Sequence, residues 1–136
     1  MPVMAYPEPR MFSEAQFGPK PLIWMGDSLE MLQGFPEDVK DELGFALFQA
    51  QTGKKHIKAK PLNGFGAGVL EVVSDHRGDT FRAVYTVRLA GRVYVLHAFQ
   101  KKSKTGIATP KTEMELVKNR LRRAKELHEL REKQNG

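Results

Sequence analysis

Four cations near the ends of two neighbouring predicted strands are the side chains in this sequence whose type and spacing best fit chemistry. They are Arg82, Lys101, Lys102 and Lys104. Cations held close together repel one another unless they bind an anion, and phosphate is the anion that arginine and lysine most often hold. The spacing therefore indicates a site for a phosphate group.

The predicted strand pairing brings these cations to one rim of a sheet. Alternating apolar positions predict strands over 81–88 and 93–99, joined by a short turn. In an antiparallel pair around that turn the facing positions sum to about 181, so we expect Arg82 roughly opposite Gln100 and Lys101. The start of one strand and the end of the next then lie together.

Other catalytic and metal-binding patterns are absent from the sequence. There is no cysteine, and no serine lies in a GxSxG context. The four histidines lack HxxxH or HExxH spacing, so we expect no metal and no cofactor. His97 lies inside the last predicted strand and has the side-chain type of a general base. It shares its parity with the apolar Val95 and Phe99, however, so a buried, hydrogen-bonded structural histidine is an equal alternative.

The elements that position these residues begin with a strand and two helices. A short apolar run at 22–25 predicts a strand, and two helices follow, one ending at Gly34 and one running from Pro36 to Gly53. The apolar stripe of the second helix consists of Val39, Leu43, Ala46, Leu47 and Ala50. We expect the two helices to form a hairpin packed on one face of the sheet.

The second half of the chain predicts a meander followed by a helix. Alternation starts at Val69, and a polar turn over Ser74–Asp79 separates the first strand from the two already described. Thr109–Pro110 is a typical helix start, and apolar residues at helical spacing continue to about Lys133. The order strand, helix, helix, three strands, helix predicts an α+β fold.

Length and composition fit one small domain preceded by a leader. The chain has 136 residues, and five of its eight prolines fall within residues 1–21. We therefore expect a flexible leader over 1–20 and a single domain over 21–134. No apolar run approaches the ~18 residues that a membrane span needs, and no secretory signal is visible. These features predict a cytoplasmic protein without membrane contact.

The net charge of +6 is concentrated at one end of the chain. Residues 1–99 carry 11 basic and 11 acidic side chains, whereas residues 100–136 carry 11 basic and 5 acidic ones. A second basic cluster lies at 54–60. The predicted nucleic-acid contacts are Lys54, Lys55, Lys58, Lys60, Lys104 and Lys111. Ordinary solvated surface would explain one such cluster, but two clusters flanking a sheet favour nucleic acid.

One long segment carries a resemblance to a known family. It is YVLHAFQKKSKTGIATPKTEMELVKNRLRRA, residues 94–124, and it closely resembles the C-terminal signature of the phage-derived HigB-like toxins in the RelE superfamily. The segment FRAVY, residues 81–85, is similar to that family's arginine-bearing strand. The resemblance covers residues 21–130. It implies the RelE-like fold, with an N-terminal strand and helical hairpin, an antiparallel sheet meander and a C-terminal helix.

The resemblance implies the toxin of a type II toxin–antitoxin system, a metal-independent endoribonuclease that in many members cleaves mRNA on the ribosome. In that reaction the ribose 2′-OH attacks the adjacent phosphate and leaves a 2′,3′-cyclic phosphate and a 5′-OH. By match to the family pattern Arg82 binds the scissile phosphate, Lys102 stabilises the transition state beside Lys101, and His97 is a candidate base. The implied partners are mRNA, the ribosome and a HigA-like helix-turn-helix antitoxin.

Alternatives remain for the residues and for the function. Arg82 could instead form a cross-strand ion pair with Glu71, and the lysines after the strand could be solvated loop charges. RelE itself has basic residues on the first meander strand, where this chain has VLEVV, and the 54–60 lysines are the candidates to replace them. The chain could also be a non-catalytic RNA- or ribosome-binding growth inhibitor of the same fold. A third reading is a phage-derived regulatory protein that binds nucleic acid only electrostatically.

Overall fold

A computed structural model describes residues 18–101 and 109–135 of the chain. In this range five strands and three helices form an α+β fold, which confirms the predicted class and a RelE-like arrangement. In chain order they are β1 (Leu22–Trp24), α1 (Ser28–Gln33), α2 (Glu37–Gln51), β2 (Lys60–Pro61), β3 (Val69–His76), β4 (Asp79–Thr86), β5 (Val93–Lys101) and α3 (Lys111–Asn135). Most of the predicted leader, 1–20, lies outside the described residues, but the backbone N–H of Lys20 donates to the carbonyl of Gln51 at 2.9 Å.

The strands form one mixed sheet in the order β1-β5-β4-β3-β2. β3, β4 and β5 are the predicted antiparallel meander, and β1 adds to its edge parallel to β5, with Leu22 paired to Val93. The sequence did not predict β2, which is two residues long and pairs with β3 at the other edge. Its Pro61 is tolerated there because an edge strand does not need every backbone N–H.

The predicted polar turn over Ser74–Asp79 is wrong. β3 continues to His76, and the turn is only the two residues Arg77 and Gly78. Their φ angles of 52° and 87° are both positive, which is the geometry that joins two twisted strands by a two-residue loop.

Helix α2 explains why polar residues stay in the strand at the end of β3. Ser74 donates its hydroxyl to Glu42 at 2.6 Å, and Nδ1 of His76 lies 2.9 Å from the carboxylate of Asp38. The side chains that looked like turn residues are thus paired with the first half of α2.

The sheet separates two apolar layers. The hairpin face, covered by α1 and α2, is built on Phe81, Ala83, Tyr85, Val95 and Ala98. The predicted stripe of α2 is entirely buried against it. The α3 face is built on Val84, Tyr94, Leu96 and Phe99, on which α3 buries Val117, Leu121 and Ala124. Each fully buried Val or Leu in these layers stabilises the fold by about 1.5–3 kcal/mol.

α3 is 25 residues long, and its remaining surface is strongly polar. Among the residues that the structure describes, neither α3 nor another helix is long and apolar enough to cross a membrane.

A bulge in β5 decides which side chains reach the α3 face. Paired positions of β4 and β5 sum to 181 as far as Val84 and His97, but the next pair is Tyr85 with Val95, so Leu96 is an extra residue. His97 therefore points to the α3 face together with Phe99, and the predicted shared parity with Val95 is wrong.

The same register corrects the predicted position of Arg82. It lies opposite Phe99, while Gln100 and Lys101 lie opposite Phe81 and Thr80. The predicted sum of 181 is confirmed for this part of the hairpin, and the facing residue differs from the expected one by a single position.

Candidate nucleic-acid interface

The α3 face is only partly covered by its helix. α3 packs over β5, and the part of this face formed by β2 and β3 is left as an open groove of about 320 Å³. We call this the β3 groove; it is lined by Ile57, Lys58, Lys60, Glu71, Val73 and Asp75. Both charge signs are present in its lining, so its field is mixed.

Arg82 lies on this face and is almost fully buried, with 6% of the residue exposed. Its Nη1 lies 3.3 Å from Oε2 of Glu71, so the ion pair that the sequence offered as an alternative is present. The hydroxyl of Thr109, just before α3, donates to the same Glu71 oxygen at 2.9 Å and lies 3.5 Å from Nη1 of Arg82. Any anion that binds this guanidinium would therefore compete with Glu71.

The other predicted rim cations lie at the ends of β5 and α3. Lys101 is half-buried on the last position of β5 and shares the α3 face with Arg82, two positions along the strand pair. Lys111 is exposed in the first turn of α3, two residues after Thr109. Lys102 and Lys104 lie outside the described residues. The structure thus brings Arg82, Lys101 and the start of α3 to one region.

The predicted 54–60 cluster is less concentrated than its spacing indicated. Lys54 and Lys55 are exposed and do not line the β3 groove. Lys58 pairs with Glu42 at 2.8 Å, and hydrogen bonds from the Lys58 ammonium and then from Ser74 lower the pKa of Glu42. Lys60, on β2 opposite Glu71, is exposed at the border of the groove.

His97 is buried beneath the start of α3, as the structural alternative required. Its Nε2 lies 2.5 Å from Oε1 of Glu113, and Nη1 of Arg120 lies 3.2 Å from its Nδ1. The ring also stacks on Phe99, with centroids 4.9 Å apart. Because Arg120 can only donate, the arrangement assigns the proton to Nε2, which donates to Glu113.

Arg120 connects this cluster to the residues that follow β1. It donates to the carbonyl of the bulge residue Leu96 at 3.1 Å and to Asp27 at 2.9 Å. The neighbouring Gly26 has a φ of +55°, and a Cβ there would lie 2.5 Å from Cζ of Arg120. Only glycine therefore leaves room for the guanidinium.

No pattern in the sequence marked Glu113, Arg120 and Asp27 as members of the cluster around His97. Their partners are 16 to 93 residues away along the chain, and the β5 bulge that turns His97 toward them carries no glycine or proline that would have marked it.

The described residues contain no group of three or more His, Cys, Asp or Glu side chains that could hold a metal ion. Burial raises the pKa of Tyr85 to about 12, so this phenol on the hairpin face is not an acid–base group near neutral pH.

A comparison with protein families matches residues 30–122, 93 of the 136, to the family described as phage-derived protein Gp49-like (DUF891). No curated protein matches the chain. The matched range runs from α1 into α3 and contains Arg82, His97, Lys101 and Glu113. The chain therefore belongs to the Gp49-like family of phage-derived proteins, a RelE-like, toxin-like family.

Proposed function

We propose that this protein is a HigB-like toxin of a type II toxin–antitoxin pair, a metal-independent endoribonuclease that cleaves mRNA on the ribosome in the cytoplasm. The observation that carries the proposal is the position of Arg82. An arginine lies on the partly uncovered α3 face, beside Lys101 and the start of α3, in a chain whose family is toxin-like.

The proposed reaction needs a held phosphate and stabilisation of developing negative charge. The ribose 2′ oxygen bonds to phosphorus, the bond from phosphorus to the 5′ oxygen breaks, and a cyclic phosphate and a 5′-OH remain. Arg82 would exchange Glu71 for the scissile phosphate, while Lys101 and Lys102 would stabilise the transition-state charge. Exchange of one anion for another keeps the buried guanidinium paired throughout, which limits its desolvation cost.

Cleavage of a defined RNA tests the proposal directly. Purified protein is incubated with a labelled mRNA fragment, with and without ribosomes, and the products are mapped by primer extension. We expect discrete new 5′-OH ends, which disappear when the ribose at the cleavage position is 2′-deoxy. Cleavage that tolerates the 2′-deoxy substitution would exclude this chemistry.

Expression in bacteria tests the toxin role. We expect growth arrest together with new mRNA ends, both lost in the double variant Arg82→Ala/Lys102→Ala. The lysines at 54–60 are proposed to contact ribosomal RNA, so replacing Lys60 should weaken ribosome association more than replacing Lys54, which is outside the β3 groove. Equal effects of the two substitutions would argue against a role for the groove.

The proposed partner is a HigA-like helix-turn-helix antitoxin. Its co-expression should restore growth and yield a complex that survives purification. If no small DNA-binding protein encoded beside this chain restores growth, that result would count against a toxin–antitoxin pair.

A second candidate function is a non-catalytic growth inhibitor that binds RNA or the ribosome. The observation in its favour is the ion pair with Glu71, which already neutralises Arg82. It predicts arrest of growth and salt-sensitive RNA binding without new mRNA ends.

A further inference from the structure

Two carboxylate contacts lie next to each other on the α3 face. One is the ion pair of Arg82 with Glu71, and the other is the hydrogen bond of His97 with Glu113. Because Arg82 pairs with Phe99 and His97 is two residues before Phe99, the two positions are diagonal neighbours, whose Cα atoms are typically about 7–8 Å apart. That separation matches the span of one ribose and its phosphate.

The start of α3 joins both pairs. Thr109, just before the helix, contacts Arg82 and Glu71, and Glu113 in the first turn contacts His97. A nucleotide whose phosphate is bound by Arg82 would therefore have its sugar close to the first turn of α3.

Of the second pair, only Glu113 is accessible to such a nucleotide. The side chain of Glu113 is 27% exposed, whereas that of His97 is 5% exposed. Both ring nitrogens of His97 are also occupied, by Glu113 and Arg120. The carboxylate can reach a ligand that the imidazole cannot.

The surroundings hold Glu113 more firmly than an ordinary surface ion pair would. Arg120 donates to Nδ1 of His97 and so keeps the ring proton on Nε2, where it is donated to Glu113. Arg120 is itself fixed by the carbonyl of Leu96, by Asp27 and by the space at Gly26. A carboxylate fixed in this way keeps its acceptor oxygens oriented, as a catalytic base requires.

We infer that Glu113 is the general base of the proposed cleavage and that His97 is the residue that positions it; the inference rests on the proposed function. The Glu113 carboxylate takes the proton of the ribose 2′-OH as the 2′ oxygen bonds to phosphorus. The bond from phosphorus to the 5′ oxygen breaks, and the leaving oxygen takes a proton from the ammonium of Lys101, which shares the α3 face with Arg82. Exchange with water then deprotonates Glu113 and reprotonates the lysine.

Single-turnover cleavage of a ribosome-bound mRNA fragment by the full chain tests this assignment. We expect Glu113→Gln to lower the rate at saturating RNA by about 100-fold or more, with RNA affinity changed less than about twofold. The matched control is Glu115→Gln, which removes the same charge from an exposed position two residues further along α3 and should leave the rate unchanged. His97→Gln should lower the rate by about 10-fold without changing affinity, because it loosens the base and leaves it in place.

Chemical rescue separates a base from a structural ion pair. Formate is a small carboxylate that can occupy the space vacated in Glu113→Ala, and we expect it to restore at least about 10-fold of the lost rate. It should not restore Arg82→Ala or His97→Gln. If Glu113→Ala does not fold, a normal melting temperature with lost cleavage in Glu113→Gln supports the inference, and a lowered melting temperature without a specific rate loss overturns it.

The remaining outcomes distinguish this inference from the proposed function. Wild-type cleavage with Glu113→Gln as active as Glu115→Gln overturns the assignment of the base and leaves the ribonuclease proposal intact. Loss of cleavage in Glu113→Ala with no rescue by formate also overturns the base and leaves a structural ion pair. If the wild type cleaves RNA neither in the presence of ribosomes nor in their absence, both the base assignment and the ribonuclease proposal are overturned.

Discussion

The two faces of the sheet handle polar side chains in opposite ways. On the hairpin face the polar residues at the end of β3, Ser74 and His76, reach two carboxylates of α2, of which Glu42 is half-buried and Asp38 is exposed. On the α3 face the charged residues are in the middle of the sheet, and Arg82 and His97 are buried beneath or beside the start of α3.

The difference fits a scaffold role for the hairpin face and the proposed site on the α3 face. Exposed ion pairs contribute at most about 1 kcal/mol each, and an apolar residue in place of a buried pair is often no less stable. Stability alone therefore does not explain a buried arginine–carboxylate pair beside a buried histidine that is hydrogen-bonded to a second carboxylate. Function at the α3 face would explain them, since a site needs charges held in fixed places.

The largest effect is expected from Arg82→Ala. Removal of the guanidinium leaves Glu71 charged and nearly buried, which should lower the free energy of unfolding by about 3–5 kcal/mol. Urea denaturation measures the loss. The double variant Glu71→Gln/Arg82→Gln should recover most of the stability and none of the RNA cleavage. If both variants lose the same free energy of unfolding, the unpaired Glu71 is not the cause of the loss.

Leu43→Ala should affect stability alone. Leu43 is fully buried in the core of the hairpin face, so a cavity there should cost about 2–5 kcal/mol. Below its melting temperature the variant should cleave RNA at the wild-type rate per folded molecule. A specific loss of cleavage would mean that the hairpin face is more than scaffold.

Gly26→Ala should damage the α3 face through Arg120. A left-handed backbone costs a non-glycine residue about 1–2 kcal/mol, and the new Cβ also collides with the guanidinium. The matched control is Gly53→Ala, whose φ of +81° carries the backbone strain while nothing lies within 4 Å of the added Cβ. Thermal melting should show a loss in both variants that is larger in Gly26→Ala, whereas cleavage should fall in Gly26→Ala only.

The smallest effect is expected from Glu42→Gln on the hairpin side. The pKa of Glu42 is lowered from its usual 4.5, first by the Lys58 ammonium and then by Ser74. A lowered carboxylate pKa contributes stability that is present above the unfolded value and is lost as the pH falls through the folded value. The variant should be less stable than wild type by about 1 kcal/mol or less at pH 7, because solvent screens the half-exposed lysine.

Urea denaturation between pH 7 and pH 3 checks the sign of this effect. The difference between Glu42→Gln and wild type should shrink once the pH falls below about 4.5. A difference that grew toward acid pH would contradict the assignment.

Local patterns were sufficient for most of the fold. All five residues of the predicted apolar stripe of α2 lie in the core, because a helix brings the same face to the sheet at every turn. The Arg82–Glu71 pair could also be predicted from the sequence, since the two residues lie on adjacent strands of a meander. The β5 bulge could not be predicted, because one extra residue leaves no mark in the sequence of an apolar strand. As a result of the bulge, Val95 and His97 face opposite sides of the sheet although they are two residues apart.

The candidate site was predictable only on its β4 side. Glu113 and Arg120 meet His97 through packing of α3 across the sheet, a contact that no spacing along the chain encodes. The end of β3 was misread for the related reason that its polar side chains are paired by α2, far away in sequence.

The extra residue Leu96 also has a consequence for variants in which one residue is deleted. A deletion of its single codon would remove the bulge and leave every charged residue of the protein in place. Val95 would then be followed directly by His97, and regular alternation would keep Val95 on the hairpin face and His97 on the α3 face. The strand would lose the Leu96 carbonyl, which accepts a hydrogen bond from Arg120. Among relatives, the loss of one residue at this point of the strand would therefore preserve the facing of both halves of β5 and change the backbone group that anchors Arg120.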